Sequence, residues 1–123
     1  MNGLLPVVGA CVACVAHVAA FAQPAASLDV GGKAPALTID TWVKGQPVTA
    51  FAPGSVYVVE FWATWCPPCR ESIPHLSKLQ AAMRPKGVTV IGISSEEEGL
   101  GVIRPFVERM GARMDYTVAF DKG

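Results

Sequence analysis

Residues 1–28 contain no Asp, Glu, Lys or Arg; the first of these is Asp29. Across the whole chain ten basic and ten acidic side chains cancel to a formal net charge of zero. That balance gives no reason to propose nucleic acid or an anionic surface as a partner. The few aromatic spots (Trp42; Phe61, Trp62 and Trp65; Tyr116 to Phe120) are not interleaved with basic runs, so the stacking-plus-charge pattern of a nucleic-acid groove is missing as well. Internal repeats are absent, and 123 residues leave room for one domain at most.

What the charge-free N-terminus does contain is an almost wholly apolar run, Leu4 to Ala22. Ala20-Phe21-Ala22 before Gln23-Pro24 fits a small-x-small cleavage site, so residues 1–22 read as a signal peptide. Only the α-amino group supplies a positive n-region, and about 20 apolar residues suffice to span a bilayer. An uncleaved membrane anchor is therefore the alternative, although Pro6, Gly9 and His17 make a poor span. Val8-Gly9-Ala10-Cys11 also resembles a lipoprotein processing site. Each of these readings places the rest of the chain outside the cytosol.

Four cysteines form two C-x-x-C pairs, Cys11/Cys14 and Cys66/Cys69. The first pair lies within the apolar leader, where cysteine serves as a small hydrophobe. A four-cysteine zinc site is therefore not expected, and neither a metal nor another cofactor is assigned. One pair remains, in a compartment where disulfides persist.

Residues 23–35 form a linker without periodicity, and residues 36–123 the folded domain. Ala36 to Asp40 alternates as a strand, Lys44-Gly45-Gln46 turns, and Val48-Thr49-Ala50 is the expected return of a hairpin. Val56 to Trp62 is nearly continuous in apolar residues, as expected of a central parallel strand buried on both faces. A helix follows from about Pro67, with Ile73, Leu76, Leu79 and Met83 inward and Arg70, Ser77, Lys78 and Gln80 outward. Pro74 should kink that helix, and Arg84 to Gly87 ends it. Val88 to Ser94 is a second buried strand. Ser94 or Ser95 is then expected to cap a second helix, with Glu96, Glu97 and Glu98 solvated in its first turn. Val102, Phe106, Val107 and Met110 form that helix's inner face, Gly111 its C-cap, and Tyr116 to Phe120 a third parallel strand. The order strand, helix, strand, helix, strand implies a parallel βαβαβ unit, hence an α/β fold.

The chemistry is concentrated in Trp65-Cys66-Pro67-Pro68-Cys69-Arg70. Strand, turn and helix place Cys66 at the first turn of a helix, with Cys69 three residues on along the same face. Cα atoms about 5 Å apart fall inside the disulfide window, so the pair closes and reopens without moving the backbone. Unpaired N–H groups and the positive end of the dipole favour a thiolate there. Such a cysteine typically ionises at roughly 3.5–7.5 instead of about 8.5. Pro67 and Pro68 contribute no N–H, so the depression expected for Cys66 is moderate, which suits a reductase.

These residues resemble the thioredoxin-fold proteins, and more narrowly the TlpA/ResA-type thiol–disulfide oxidoreductases that work outside the bacterial cytoplasm. Gly31-Gly32-Lys33-Ala34-Pro35 is similar to that family's G-x-x-A-P opening. Phe61 to Arg70 resembles its active-site stretch, and Pro74 sits where its active-site helix kinks. The resemblance runs from about Gly31 to the end of the chain. It implies a thioredoxin-like fold, an N-terminal hairpin plus βαβαβ, incomplete at the C-terminus because the family's cis-proline loop, strand pair and final helix do not follow. Ser72 stands where many relatives carry a Glu, whereas Glu60 occupies the place of the buried acid of thioredoxins.

The resemblance implies Cys66 as nucleophile and Cys69 as resolving thiol. Glu60, on a buried strand with a raised pKa, is the expected base for the Cys69 proton. Trp65, with Pro67 and Pro68, is the expected apolar platform for substrate. The partners implied are a disulfide-bearing protein and an electron-donating thiol protein in the membrane, with the chain itself a periplasmic monomer. Two other chemistries use the same residues. Copper could be held by Cys66, Cys69 and His75, or a peroxiredoxin-like peroxidase could use Thr64 and Cys66. Tryparedoxins and nucleoredoxins share the W-C-P-P-C-R string, but the leader argues against a cytosolic relative.

Overall fold

A computed structural model describes residues 28–123. The apolar leader with its signal or anchor readings, Cys11 and Cys14 lie outside the described residues. Residues 1–33 and 34–123 are separate units. Within the first, the described part holds a turn in which the Gly32 N–H donates to the Asp29 carbonyl at 2.9 Å.

The second unit consists of β1 (Thr41–Lys44), β2 (Val56–Phe61), α1 (Pro67–Met83), β3 (Val88–Ser94), α2 (Leu100–Met110) and β4 (Thr117–Phe120), with 3-10 turns at Arg84–Lys86 and Gly111–Met114. The sheet order is β1-β4-β3-β2. β2 and β4 each lie parallel to β3, so the βαβαβ unit forms as expected. The two crossovers advance in the same direction across the sheet. β3 rather than β2 therefore gains neighbours on both sides, and it is buried along almost its whole length. The expectation that Val56 to Trp62 is central is corrected accordingly. Among the described residues β2 is an edge strand, with Val56 and Phe61 exposed.

The predicted hairpin does not form. The N-terminal strand is Thr41–Lys44, and it pairs antiparallel with β4, Trp42 opposite Ala119. Residues 36–40 and 48–50 are not strands. Their apolar positions (Leu37, Ile39 and Val48) pack with Trp42 on one face of the sheet, over Ile91, Ile93 and Ala119. Alternation in that segment marks a chain lying on a sheet face rather than one pairing at an edge.

Both helices cover the opposite face. The core there joins Trp62, Ile73, Val90, Ile103, Phe106, Val107, Met114, Tyr116, Val118 and Phe120. α2 turns Ile103, Phe106 and Val107 inward, while Val102 and Met110 are half-buried. α1 departs from its expected apolar stripe. Ser77 and Gln80 are buried and Leu79 is exposed. The Gln80 side chain donates to the Val88 carbonyl at 2.9 Å and accepts from the Val90 N–H at 2.7 Å. The Ser77 hydroxyl donates to the Arg113 carbonyl at 2.7 Å and accepts from the Asp115 N–H at 2.8 Å. α1 thus rests partly on backbone polar groups, which must be paired when buried, and a polar stripe meets that need where leucine would not.

Gly92, in the middle of β3, has a steric role. A Cβ there would lie 3.0 Å from the Tyr116 ring and 3.1 Å from the Trp62 indole nitrogen. Its absence lets both rings lie across the strand.

Candidate active site

β2 delivers the chain to the site. After Phe61 the strand pairing continues for one more residue, the Trp62 N–H donating to the Ile93 carbonyl at 3.0 Å. Trp62 is buried and stacks on Phe106, ring centroids 5.3 Å apart. This fixes the base of the loop 63–65. Cys66 then takes an extended conformation and caps α1. Its carbonyl accepts from the Arg70 N–H at 3.1 Å, closing the first helical turn. Pro67 and Pro68 occupy the first helical positions, where no N–H is required.

Cys66 and Cys69 are joined as a disulfide with Cα atoms 5.3 Å apart. Both cysteines are half-buried, and Trp65, Pro67, Pro68 and Arg70 around them are exposed. Trp65 retains 73% of its surface. The reactive pair thus lies at the carboxyl ends of parallel strands β2 and β3, with an aromatic face beside it.

Glu60 is on the helix-covered face, opposite Gly92 in the β2–β3 register. Its carboxylate accepts from the Tyr116 hydroxyl at 2.6 Å. Burial raises its pKa above the ordinary 4.5, and the Tyr116 hydrogen bond opposes the rise. Burial, and then the nearby Glu60 carboxylate, push the Tyr116 phenol up in turn. Sequence reasoning did not give Glu60 this partner, since the two residues are far apart in the chain.

The folded state therefore holds the Glu60 proton to a higher pH than the unfolded chain. The associated stability is complete below 4.5 and is lost as pH rises through the elevated value. Replacing Tyr116 by Phe removes the opposing donor, so we expect Glu60 to titrate higher still. The pH dependence of the Glu60 carboxyl-carbon shift checks this, and a lower midpoint in Tyr116→Phe would refute it.

Glu96 corrects a second expectation. α2 begins at Leu100 behind Gly99, and residues 96–99 form a turn closed by the Gly99 N–H on the Glu96 carbonyl at 2.9 Å. The acidic run is therefore not a first helical turn, and Glu96 is buried rather than solvated. One of its oxygens accepts from both the Thr64 N–H (2.6 Å) and the Thr64 hydroxyl (2.7 Å). Its other oxygen is buried without a protein partner. The clamp holds the residue two before Cys66. Nothing in Glu96-Glu97-Glu98 distinguishes the first from the other two; only its place just beyond a buried strand hinted at it.

The same clamp commits the Thr64 hydroxyl to Glu96, which bears on the peroxidase alternative. His75 is exposed on α1, and among the described residues no three His, Cys, Asp or Glu side chains converge on a metal-sized site.

A family described as Redoxin matches residues 29–123. The thiol-disulfide oxidoreductase ResA of Halalkalibacterium halodurans is 37% identical over 70 residues, covering 57% of this chain and 38% of that protein. Among solved structures, a thiol:disulfide interchange protein DsbE from Chlorobium tepidum superposes with a TM-score of 0.51 at 36% identity, over 56% of this chain and 47% of that one. StoA from Bacillus subtilis matches with a TM-score of 0.55 at 18% identity, over 71% of this chain and 67% of that one, a likeness of fold alone. The chain spans less than half the length of this ResA and this DsbE protein.

Proposed function

The chain belongs to the redoxin family, and on that premise we propose that it is an extracytoplasmic thiol–disulfide oxidoreductase that reduces protein disulfides through its W-C-P-P-C dithiol. The observation that carries this reading is the Cys66–Cys69 pair, close enough to close and half-exposed at the start of α1. The similarity to proteins named thiol-disulfide oxidoreductase supports it, and the apolar, charge-free leader supports the location.

In the reduced protein the Cys66 thiolate attacks one sulfur of the substrate disulfide. A Cys66–substrate mixed disulfide forms, and the departing substrate sulfur takes a proton. Glu60 then accepts the Cys69 proton, and the Cys69 thiolate attacks the Cys66 sulfur. The second substrate thiol leaves, and the Cys66–Cys69 disulfide closes. Two electrons have passed to the substrate, and a membrane thiol protein restores the dithiol by the same exchange in reverse. Trp65, with Pro67 and Pro68, offers the apolar surface against which the substrate chain lies.

The test follows alkylation of Cys66 by iodoacetamide against pH in the reduced protein, alongside reduction of insulin disulfides. The expected apparent pKa lies below about 8.5, the free-thiol value. A value at or above it, with no insulin reduction, would remove the basis for Cys66 as nucleophile.

A further inference from the structure

Two small grooves on the Pro67 side of the redox pair share Arg70, Met110 and Arg113 and so form one continuous surface. The first, of about 300 Å³, adds Thr64, Phe106 and Arg109. The second, of about 330 Å³, adds Pro67 and Glu71. Arg70 from α1, Arg109 from α2 and Arg113 from the 3-10 turn after α2 therefore line one groove next to the active-site loop, together with the apolar Phe106 and Met110. All three arginines are exposed, and none has a side-chain hydrogen bond or ion pair among the described residues. Among the described residues Glu71 is the only carboxylate that lines the groove.

The opposite side of the same loop carries the opposite charge. Ala63 and Trp65 line a third groove, of about 330 Å³, with Ser95, Glu96, Glu97 and Glu98. Thr64 lines the arginine groove although its N–H and hydroxyl are held by Glu96, and its neighbours Ala63 and Trp65 line the acidic groove. The residues that flank Cys66 in the chain thus border a basic groove (Thr64, Pro67) and an acidic one (Ala63, Trp65). A chain with zero net charge has placed groups of both signs along the loop that leads to Cys66.

We propose that the arginine groove receives an acidic segment of the disulfide-bearing partner, so that carboxylates flanking a substrate disulfide select and orient it. The proposal rests on the redox reading above for its biological use, though not for the binding itself. Arg forks pair with carboxylates bidentately. A single exposed pair is worth little, and three arginines around one groove are suited to a run of Asp or Glu rather than to one. Glu97 and Glu98 disfavour the same segment on the Trp65 side, which sets the direction in which the substrate crosses Cys66.

Two measurements test it. In the first, the reduced protein is mixed with disulfide peptides of equal length whose cysteines are flanked by Asp, Asn or Lys. The Asp peptide should be reduced roughly tenfold faster than the Asn peptide at about 0.02 M salt, and the gap should close at about 0.5 M salt. The double variant R109E/R113E should reverse the order of Asp and Lys peptides, each rate taken relative to the Asn peptide in the same variant. In the second, anisotropy follows a labelled Asp peptide with Ser in place of Cys binding the oxidised protein, which needs no turnover. Binding that R109E/R113E abolishes supports the groove even if no peptide is reduced, in which case only the redox reading fails. Equal rates for Asp and Asn peptides, an unaltered preference in R109E/R113E, or complete competition by inorganic phosphate at millimolar concentration would overturn it, the last by marking a small-anion site.

Discussion

Replacing Cys66 by Ser should abolish disulfide reduction, whereas replacing Cys69 by Ser should stop the reaction one step later with substrate still attached. The two sulfurs are close together but differently placed. Cys66 caps α1, where the first N–H groups and the helix dipole stabilise negative charge, and Cys69 lies one turn inside the helix. A serine hydroxyl is not ionised at neutral pH and is a poor nucleophile toward sulfur. The expected loss in Cys66→Ser is at least about 10³-fold, in line with removal of a nucleophile elsewhere. Cys69→Ser retains the attacking thiolate but lacks the resolving one, so a Cys66–substrate adduct should accumulate. Mass spectrometry under non-reducing conditions detects it. An adduct on Cys69 in the Cys66→Ser protein, formed at the wild-type rate, would reverse the assignment.

The second large effect is on stability. Trp62 is 4% exposed, stacks on Phe106 and closes over Gly92. Trp62→Ala removes a large ring from a packed core and should destabilise the fold by about 3–5 kcal/mol. Against a typical total of about 5–15 kcal/mol, much of the population would unfold on warming. Urea denaturation followed by far-UV circular dichroism measures the loss. Trp65→Ala, three residues on and 73% exposed, provides the contrast. Its midpoint should move by no more than about 0.5 kcal/mol in equivalent stability. Equal losses in the two variants would mean that the core does not depend on Trp62.

The contrast between these tryptophans also marks how far the sequence could be read. Strand, turn, C-x-x-C and helix are adjacent in the chain, so the geometry of Cys66 and Cys69 follows from local rules, and the sequence alone placed them correctly. The βαβαβ order was legible for the same reason. Strand positions within the sheet were not, because they depend on which way each crossover advances. Hence β2, expected at the centre, lies at an edge among the described residues, and β1 pairs with β4 instead of returning as a hairpin. Hydrophobic periodicity misassigned Ser77 and Gln80 because it ranks side chains by polarity. It cannot register that the surface facing them is backbone needing donors and acceptors. Glu60 with Tyr116 and Glu96 with Thr64 are pairings across 56 and 32 residues, and no local pattern encodes either.

The Glu96–Thr64 clamp ties the mobility of one segment to that of another. Thr64 has its amide proton tied to a turn beyond β3, so hydrogen exchange at that position reports on the opening of residues 95–99 as well as on its own loop. Lengthening that turn would release the approach to Cys66 without altering a single residue near the sulfur. Insertions there are thus a way to loosen the thiol's setting while the disulfide-forming pair and the helix that carries it stay as they are.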